Sequence, residues 1–316
     1  MWGRIIEIIL TENKICPPYP YCFDYISHQN TSDCAEFICK KDYYNINGKC
    51  YYKQHINILQ TLIDSNISLK GKTPLQIGNE VGYQQWIDGK LTHLNLVNNN
   101  ITKCRQCERL VNFREKIATE KRRQYIDQTY WGKPITGYGD INSQLLMIGL
   151  APAAHGGNRT GRVFTGDKSA DFLFKCLYKA EFANQSISIS REDGLQLRNL
   201  YLTTALKCVP PEDKPKPDEL KMCFKYFREE INYLTKINTI VALGKIAFDA
   251  CLNFYMQDYD LKRKDFVFQH GTEYLLPDKK ILIGSYHPSP RNVNTGRIDE
   301  IKMVKLLKKV KKVMDR

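Results

Sequence analysis

The chain lacks any apolar run long enough to cross a membrane. A transmembrane helix takes about 20 mostly apolar residues, whereas the run "IIEIIL" at residues 5–10 is short and interrupted by Glu7. No small-residue cleavage pattern follows this run, so we expect no secretory signal. The sequence therefore predicts a soluble protein that is not secreted and stays in the cytoplasm.

Without export, disulfide bonds are not expected, because the cytosol keeps thiols reduced. The chain nevertheless contains 11 cysteines, an odd number. We interpret them as free thiols, core residues or metal ligands.

Acidic residues are under-represented in only one part of the chain. Residues 1–100 hold nine Lys or Arg and nine Asp or Glu, whereas residues 101–316 hold 38 basic and 25 acidic residues. The whole excess of +13 therefore falls in the second part. Such a surplus favours a polyanionic partner such as nucleic acid, although a charge that serves solubility alone is an equal alternative.

The two parts also differ in their patterns, and we predict a domain boundary near residue 100. Residues 1–100 form a small Cys-rich module of unknown role. Residues 101–316 contain four short apolar runs that read as buried strands, with helical patterns between them: "QLLMIGL" (144–150), "NLYLTTALK" (199–207), "TIVALG" (239–244) and "KILIGSYH" (280–287). This alternation predicts a three-layer α/β domain, with a central, mostly parallel four-stranded sheet flanked by helices.

Two long polar loops follow predicted strands in this domain. "GLAPAAHGGNRTGRVFTGD" (149–167) leaves the first strand, and "HPSPRNVNTGR" (287–297) leaves the fourth. Strand-to-helix connections usually take about two to six residues, and ligands bind beyond the carboxyl ends of parallel strands. The sequence therefore predicts a binding site at this edge of the sheet.

Two cysteine pairs indicate a metal site in the same domain. "CRQC" supplies Cys104 and Cys107, and the stretch after the second strand supplies Cys208 and Cys223. Four thiolates bind either zinc or an iron–sulfur cluster. The wide spacing of the second pair favours a cluster, with zinc as the alternative. Cys176 and Cys251 lie on apolar helix faces and are predicted core residues.

Taken together in this order, "CRQC", the 149–167 loop, "KCVPPEDKPKP" and the 287–297 loop resemble the family 5 uracil-DNA glycosylases, the UDGb group of the uracil-DNA glycosylase superfamily. The resemblance covers residues 101–316 and leaves the N-terminal module as an extra part. It implies a monofunctional hydrolase of N-glycosyl bonds that flips uracil out of DNA and excises it, which starts base excision repair. It also implies a 4Fe-4S cluster on the four cysteines.

The resemblance assigns roles to individual residues. His287 matches a donor to the uracil carbonyl, and Asp167 matches the group that orients water or stabilises a cationic sugar; Asp167 as a plain helix N-cap stays open. Phe164 matches the aromatic ring that stacks on the base, with core packing as its alternative. The remaining predicted base-binding residues are Gly149, Ala151, Ala153, His155 and Thr204. The predicted DNA-binding residues are Arg159, Arg162, Ser289, Arg291, Asn292, Asn294 and Arg297.

One position departs from the family pattern. Many relatives carry an Asn in the strand before the third cluster cysteine, but this stretch reads "LTTALKC", so Thr203 or Thr204 takes that place. A hydroxyl cannot make the paired contacts of an amide. The resemblance implies a broad substrate range that includes hypoxanthine and other deaminated bases. The alanines at 153 and 154, where narrower enzymes carry a polar side chain, fit that implication.

The expected partner is double-stranded DNA with deaminated bases, and also single-stranded DNA, bound by a monomer at the nucleoid or in whichever compartment holds the DNA. A second hypothesis is a non-catalytic DNA-binding accessory protein that keeps the glycosylase fold. In the N-terminal module, Cys16, Cys22, Cys34, Cys39 and Cys50 offer a further zinc site, with unpaired thiols as the alternative.

Overall fold

The structure, a computed structural model, describes residues 43–46, 49–52, 86–87, 90–91 and 93–314. The chain divides into two compact units, Met1–Leu96 and Val97–Arg316. The first contains two antiparallel pairs: β1 (Tyr43–Ile46) with β2 (Lys49–Tyr52), and β3 (Trp86–Ile87) with β4 (Lys90–Leu91). Of the five cysteines proposed for zinc, Cys50 lies on β2 with its side chain outside the described residues, and the other four lie outside them altogether.

Helix α1 (His93–Thr102) leads from the first unit into the second, which alternates strands and helices. Its helices are α2 (Glu108–Glu120), α3 (Gly157–Thr160), α4 (Lys168–Lys179), α5 (Pro217–Tyr233), α6 (Lys245–Tyr255), α7 (Pro290–Asn294) and α8 (Glu300–Met314). Its strands are β5 (Tyr138–Gly139), β6 (Leu145–Gly149), β7 (Leu200–Thr204), β8 (Thr239–Leu243), β9 (Glu273–Leu275) and β10 (Ile281–Ser285). None of these helices, within the described residues, is long and apolar enough to cross a membrane.

The predicted α/β fold is confirmed. Strands β7, β6, β8 and β10 pair in parallel in that order, at the places where the four apolar runs predicted strands. The sheet is larger than predicted, because β5 pairs with β7 and β9 pairs with β10, both antiparallel, at its two edges. These edge strands are only two and three residues long, so they give little sequence signal.

Helices cover both faces of the sheet, which explains why its central strands are continuous apolar runs. Every residue of β6, β7 and β8 is buried. One face packs against α4 and α8, which contribute Phe174 and Leu307 among others to the main core. On the other face, α5 contacts β7 through the bond between Thr203 and Glu230. These contacts give the predicted three layers.

A buried ion pair lies between β7 and α5. The Lys207 ammonium contacts the Glu230 carboxylate, and the two side chains are only 2% and 0% exposed. Thr203 donates to Glu230 Oε2 over 2.6 Å, and the Gly137 amide donates to Oε1 over 2.9 Å. Because every charged oxygen has a donor, the pair is compensated for its loss of water.

Replacing Lys207 with Met should lower the free energy of unfolding by about 3–5 kcal/mol, because Glu230 would remain buried without its cation. Urea denaturation followed by circular dichroism measures the change. The matched control is Lys245→Met, which breaks an exposed pair with Asp249 and should cost less than about 1 kcal/mol. Equal losses in the two variants would show that the buried pair has no special role.

Candidate active site at the carboxyl edge of the sheet

The loop from residue 150 to 167 is held rigidly from inside by two arginines. Arg159 donates to the carbonyl oxygens of His155 and Gly166 over 2.7 and 2.8 Å, and its guanidinium lies 4.0 Å from the Tyr125 ring centroid. Arg162 makes a two-bond ion pair with Asp193, and both side chains are 4% exposed.

These contacts correct part of the sequence interpretation. The sequence predicts that Arg159 and Arg162 contact DNA phosphates, but their buried guanidinium groups donate to acceptors within the protein. A loop with few apolar side chains needs such internal donors to keep one shape, since its carbonyl groups must be satisfied when buried. Both residues therefore shape the loop, and the structure does not support phosphate contact for them.

Phe164 and His287 bring the two predicted loops together. Their ring centroids lie 6.3 Å apart with an angle of 31° between the ring planes. Phe164 adopts a φ of 47°, which is uncommon for a bulky residue. Its ring presses on the end of β6, where a Cβ on Gly149 would lie only 2.6 Å from it. Only glycine at position 149 accommodates this ring, which keeps Phe164 beside His287.

The structure decides between the two threonines on β7. Thr203 faces α5, where its hydroxyl donates to Glu230 and accepts from Lys207. Successive strand residues face opposite sides, and Thr204 lies on the side of Gly149, where its Cγ2 is 3.6 Å from the position that a Cβ there would take. Thr204 is therefore the threonine next to the wall formed by Gly149 and Phe164.

His287 is half-buried. Burial lowers the pKa of its imidazole to about 4, so the ring is neutral near pH 7. The Asn292 amide donates to the His287 carbonyl over 2.9 Å, and Ser289 caps α7 by accepting from the Asn292 amide N–H. Asn292, which is predicted to bind DNA, thus also fixes the backbone of His287, and Ser289 fixes the start of α7.

Asp167 caps α4, as its alternative interpretation predicted. Its Oδ1 accepts from the amides of Ser169 and Ala170 over 2.9 and 3.0 Å. Burial raises the pKa of the Asp167 carboxyl, and these two bonds oppose the rise. The other oxygen, Oδ2, lies beside Gly156, where a Cβ would come within 2.0 Å of it. One carboxylate oxygen is therefore used by the helix, and the second lies against the bare backbone of the loop.

The remaining predicted site residues fall in three places. His155 bonds to Tyr130 over 3.1 Å, and burial lowers its pKa. The Ala153 carbonyl accepts from the amides of Gly156 and Asn158, while Ala151 packs toward the cysteines instead of Phe164. In the second loop, Arg291, Asn294 and Arg297 are exposed. These three have room to contact a phosphate backbone.

The four predicted cysteines line one cavity, together with Arg114 and Tyr226. Arg114 donates to Cys208 Sγ over 3.0 Å, and the Lys207 amide donates to Cys223 Sγ over 3.3 Å. Within residues 93–314 and the described strands before them, no three His, Cys, Asp or Glu residues are grouped to hold a single metal ion. Cys176 and Cys251 are fully buried, as predicted for core residues.

Comparisons with known proteins find similar sequences. The uracil DNA glycosylase superfamily matches residues 136–311. The type-5 uracil-DNA glycosylase of Pyrobaculum aerophilum is 40% identical over 211 residues, covering 67% of this chain and 89% of that protein. The type-5 enzyme of Thermus thermophilus is 39% identical over 213 residues, covering 67% and 94%. The type-4 uracil-DNA glycosylase of Thermotoga maritima is 26% identical over 156 residues, covering 49% and 69%.

The His287 imidazole should titrate near pH 4 in the folded protein, which NMR of its ring protons can follow. Between the ordinary value of 6.5 and about 4, the unfolded chain binds a proton that the native chain does not. His287 thus makes the free energy of unfolding fall as the pH falls through this interval. Phe164→Ala should open the enclosure and raise the pKa toward 6.5. A wild-type titration already at 6.5 would contradict this.

Proposed function

Because this chain belongs to the uracil-DNA glycosylase superfamily, and within it to the type-5 enzymes, we propose that it excises uracil from DNA by hydrolysing the bond between base and deoxyribose. The products are free uracil and an abasic site, the starting point of base excision repair. The observation that carries the proposal is the meeting of Phe164 and His287 from two distant loops at the carboxyl edge of the sheet.

The target base must leave the helix before this site can act on it. Rotating a nucleotide out of a duplex costs a few kcal/mol, least at a mismatch such as U·G. Phe164 offers an aromatic ring fixed against Gly149, on which a flipped base can stack. We infer that this fixed ring receives the base, with Thr204 at the edge of the same wall.

His287 suits the stabilisation of the departing base. As the bond breaks, negative charge develops on the pyrimidine, so a donor at its carbonyl lowers the barrier. The imidazole is neutral because burial lowers its pKa to about 4, and a neutral ring donates through one N–H. Asn292 holds the backbone carbonyl of the same residue, which keeps the donor in position.

Asp167 is suited to stabilise the positive charge that develops on the sugar. The sugar becomes cationic as the base leaves, and a carboxylate nearby stabilises that cation or orients the attacking water. Two amides hold Oδ1, which fixes the group and opposes its protonation. We assign the chemical role to Oδ2, the oxygen beside Gly156.

The contacts with DNA can be inferred from which side chains of the second loop are exposed. As a member of this family the protein binds DNA. We propose that Arg291, Asn294 and Arg297 contact phosphates of double-stranded DNA, and of single-stranded DNA when offered, and that the protein acts as a monomer. Phosphate contacts fix register and carry no sequence information, which suits an enzyme that must find a damaged base in any sequence.

The four cysteines fit a 4Fe-4S cluster. They come from three separate stretches of chain yet line one cavity, and Arg114 and the Lys207 amide already donate to two of the sulfurs. Such donors stabilise thiolates, the form that binds metal. The cluster would cross-link the start of α2, the segment after β7 and α5. We assign it no step in hydrolysis, and zinc remains the alternative.

The site beside Phe164 supports a broad choice of bases. With Thr204 on its wall and alanine at 153, it presents fewer paired donors and acceptors to a base edge than an amide would. A site that hydrogen-bonds its substrate strongly also rejects analogues strongly. We therefore propose that hypoxanthine and other deaminated bases are substrates besides uracil.

Labelled duplexes with U·G, U·A or hypoxanthine opposite thymine test the activity, with abasic sites revealed by alkaline cleavage. The wild type should cleave all three, with U·G fastest, because its flipping cost is smallest. Asp167→Asn and His287→Ala should each lower the rate by about 100-fold or more, in line with the loss of a single transition-state contact. The matched control, Asp260→Asn, removes a carboxylate at an exposed position outside both loops and should keep the wild-type rate. Tight binding without cleavage would instead identify an accessory protein.

Iron and sulfide analysis tests the cofactor. Anaerobically purified protein should be brown and hold about four iron atoms per chain. Cys208→Ala should lose both, whereas Cys251→Ala, at a buried cysteine outside the cavity, should retain them. Stoichiometric zinc with no iron would contradict the cluster.

A further inference from the structure

The connection between α4 and β7 takes an unusual path. Helix α4 begins at the site and runs back across the sheet, and β7 begins level with the start of β6 at the opposite edge. Such connections usually take about two to six residues, but this one occupies residues 180–199. We call it the α4–β7 loop. Joining α4 to β7 does not require a loop of this length, because α4 ends and β7 begins at the same edge of the sheet.

The extra residues return to the active site. At the base of the loop, Ala183 pairs with Leu197, and Asn184 bonds to Gln196 in both directions. At its tip, the Ser188 carbonyl accepts from the Gly166 amide over 2.7 Å. Gly166 directly precedes Asp167, so the tip lies against the loop that carries the proposed catalytic carboxylate.

Buried polar contacts make the tip rigid. The Ser188 hydroxyl contacts Thr165 Oγ1 at 2.8 Å and Arg162 Nη2 at 3.0 Å. The Asp193 carboxylate, paired with Arg162, also accepts from the amides of Ile189, Ser190 and Leu195. The Arg162–Asp193 pair therefore fixes the tip and the catalytic loop as one body.

Two large apolar side chains project from this rigid tip. Ile187 and Ile189 are 53% and 56% exposed, whereas Ser188 between them is fully buried. Leaving two branched apolar side chains in water, on a backbone held by a buried ion pair, gives the folded protein no stability. These two side chains lie beside the catalytic loop and are accessible to a molecule bound there.

We propose that Ile187 and Ile189 pack into the base stack of duplex DNA where the target nucleotide has left it. This inference rests on the proposed function, since the occupant is the DNA bound at the neighbouring site. Proteins that unstack base steps insert apolar side chains, isoleucine among them. In the loop after β10, Val293 packs on the main core, so this side chain is not available to enter the stack. The α4–β7 loop fills that role from the other side of the site.

The test compares uracil paired with adenine and uracil in an unpaired bubble. Ile187→Ser combined with Ile189→Ser should excise paired uracil about tenfold or more slowly, because the gap in the stack is no longer filled. Excision from the bubble should be unchanged. The matched control is Leu275→Ser, which removes a side chain that is 72% exposed at the opposite edge of the sheet. It should leave both rates unchanged, and Ile→Leu at both positions should retain the wild-type rates.

A second measurement does not need turnover. A duplex with an abasic analogue and a neighbouring 2-aminopurine should brighten when the wild type unstacks it, and brighten less with the double Ser variant. The proposal is overturned if the double variant behaves as wild type on paired uracil, loses activity equally in the bubble, or gives the full fluorescence rise. A wild type that excises nothing, yet gives a rise that depends on the isoleucines, would refute the proposed function and support this contact.

Discussion

The parallel register of β7, β6, β8 and β10 is the constraint on which the site depends. It sets Gly149 level with Thr204, so that the ends of two strands form one wall, and it makes the loops after β6 and β10 leave the sheet at the same edge. Phe164 then reaches His287 although 123 positions separate them in the chain. A slip of one residue in β7 would exchange Thr203 and Thr204, placing the residue that bonds to Glu230 in the pocket and Thr204 against α5.

The buried Lys207–Glu230 pair is built on this register. Removing one partner of such a pair is costly, because the other charge is left buried alone. Glu230 accepts from Thr203 and from Gly137 as well as from Lys207, which satisfies it in one alignment of β7 against α5. The Lys207 amide also donates to Cys223. The same few residues therefore join the strand end at the pocket to the cavity of the cysteines.

The sequence predicted those features that depend on periodicity or on a whole motif. Four buried runs predicted the parallel strands, and the two long polar loops after them predicted that Phe164 and His287 lie at one edge of the sheet. Their catalytic roles stay predictions. The two edge strands could not be predicted, because two or three residues are too few to show a periodic pattern of apolar side chains. The prediction for Arg159 and Arg162 is wrong for a different reason. A loop arginine can donate to a phosphate or to the carbonyl groups of its own loop, and only the folded structure shows which acceptors surround it. The α4–β7 loop gave no signal either, because its tip is defined by contacts with residues more than twenty positions away.

Much of the positive charge of the second unit is paired within the protein, as it is for Arg162. Several basic side chains are held by acidic partners: Lys175 and Lys179 by Glu300, Lys309 by Glu273, and Lys311 by Glu181. Exposed pairs of this kind contribute little to stability, and salt screens them. The net surplus still attracts DNA at a distance, but under the proposed function the close phosphate contacts are left to a small exposed set, Arg291, Asn294 and Arg297. A site with few close phosphate contacts must secure the extruded nucleotide by other means, and rigid apolar side chains beside the pocket provide such means at an energy that salt does not weaken.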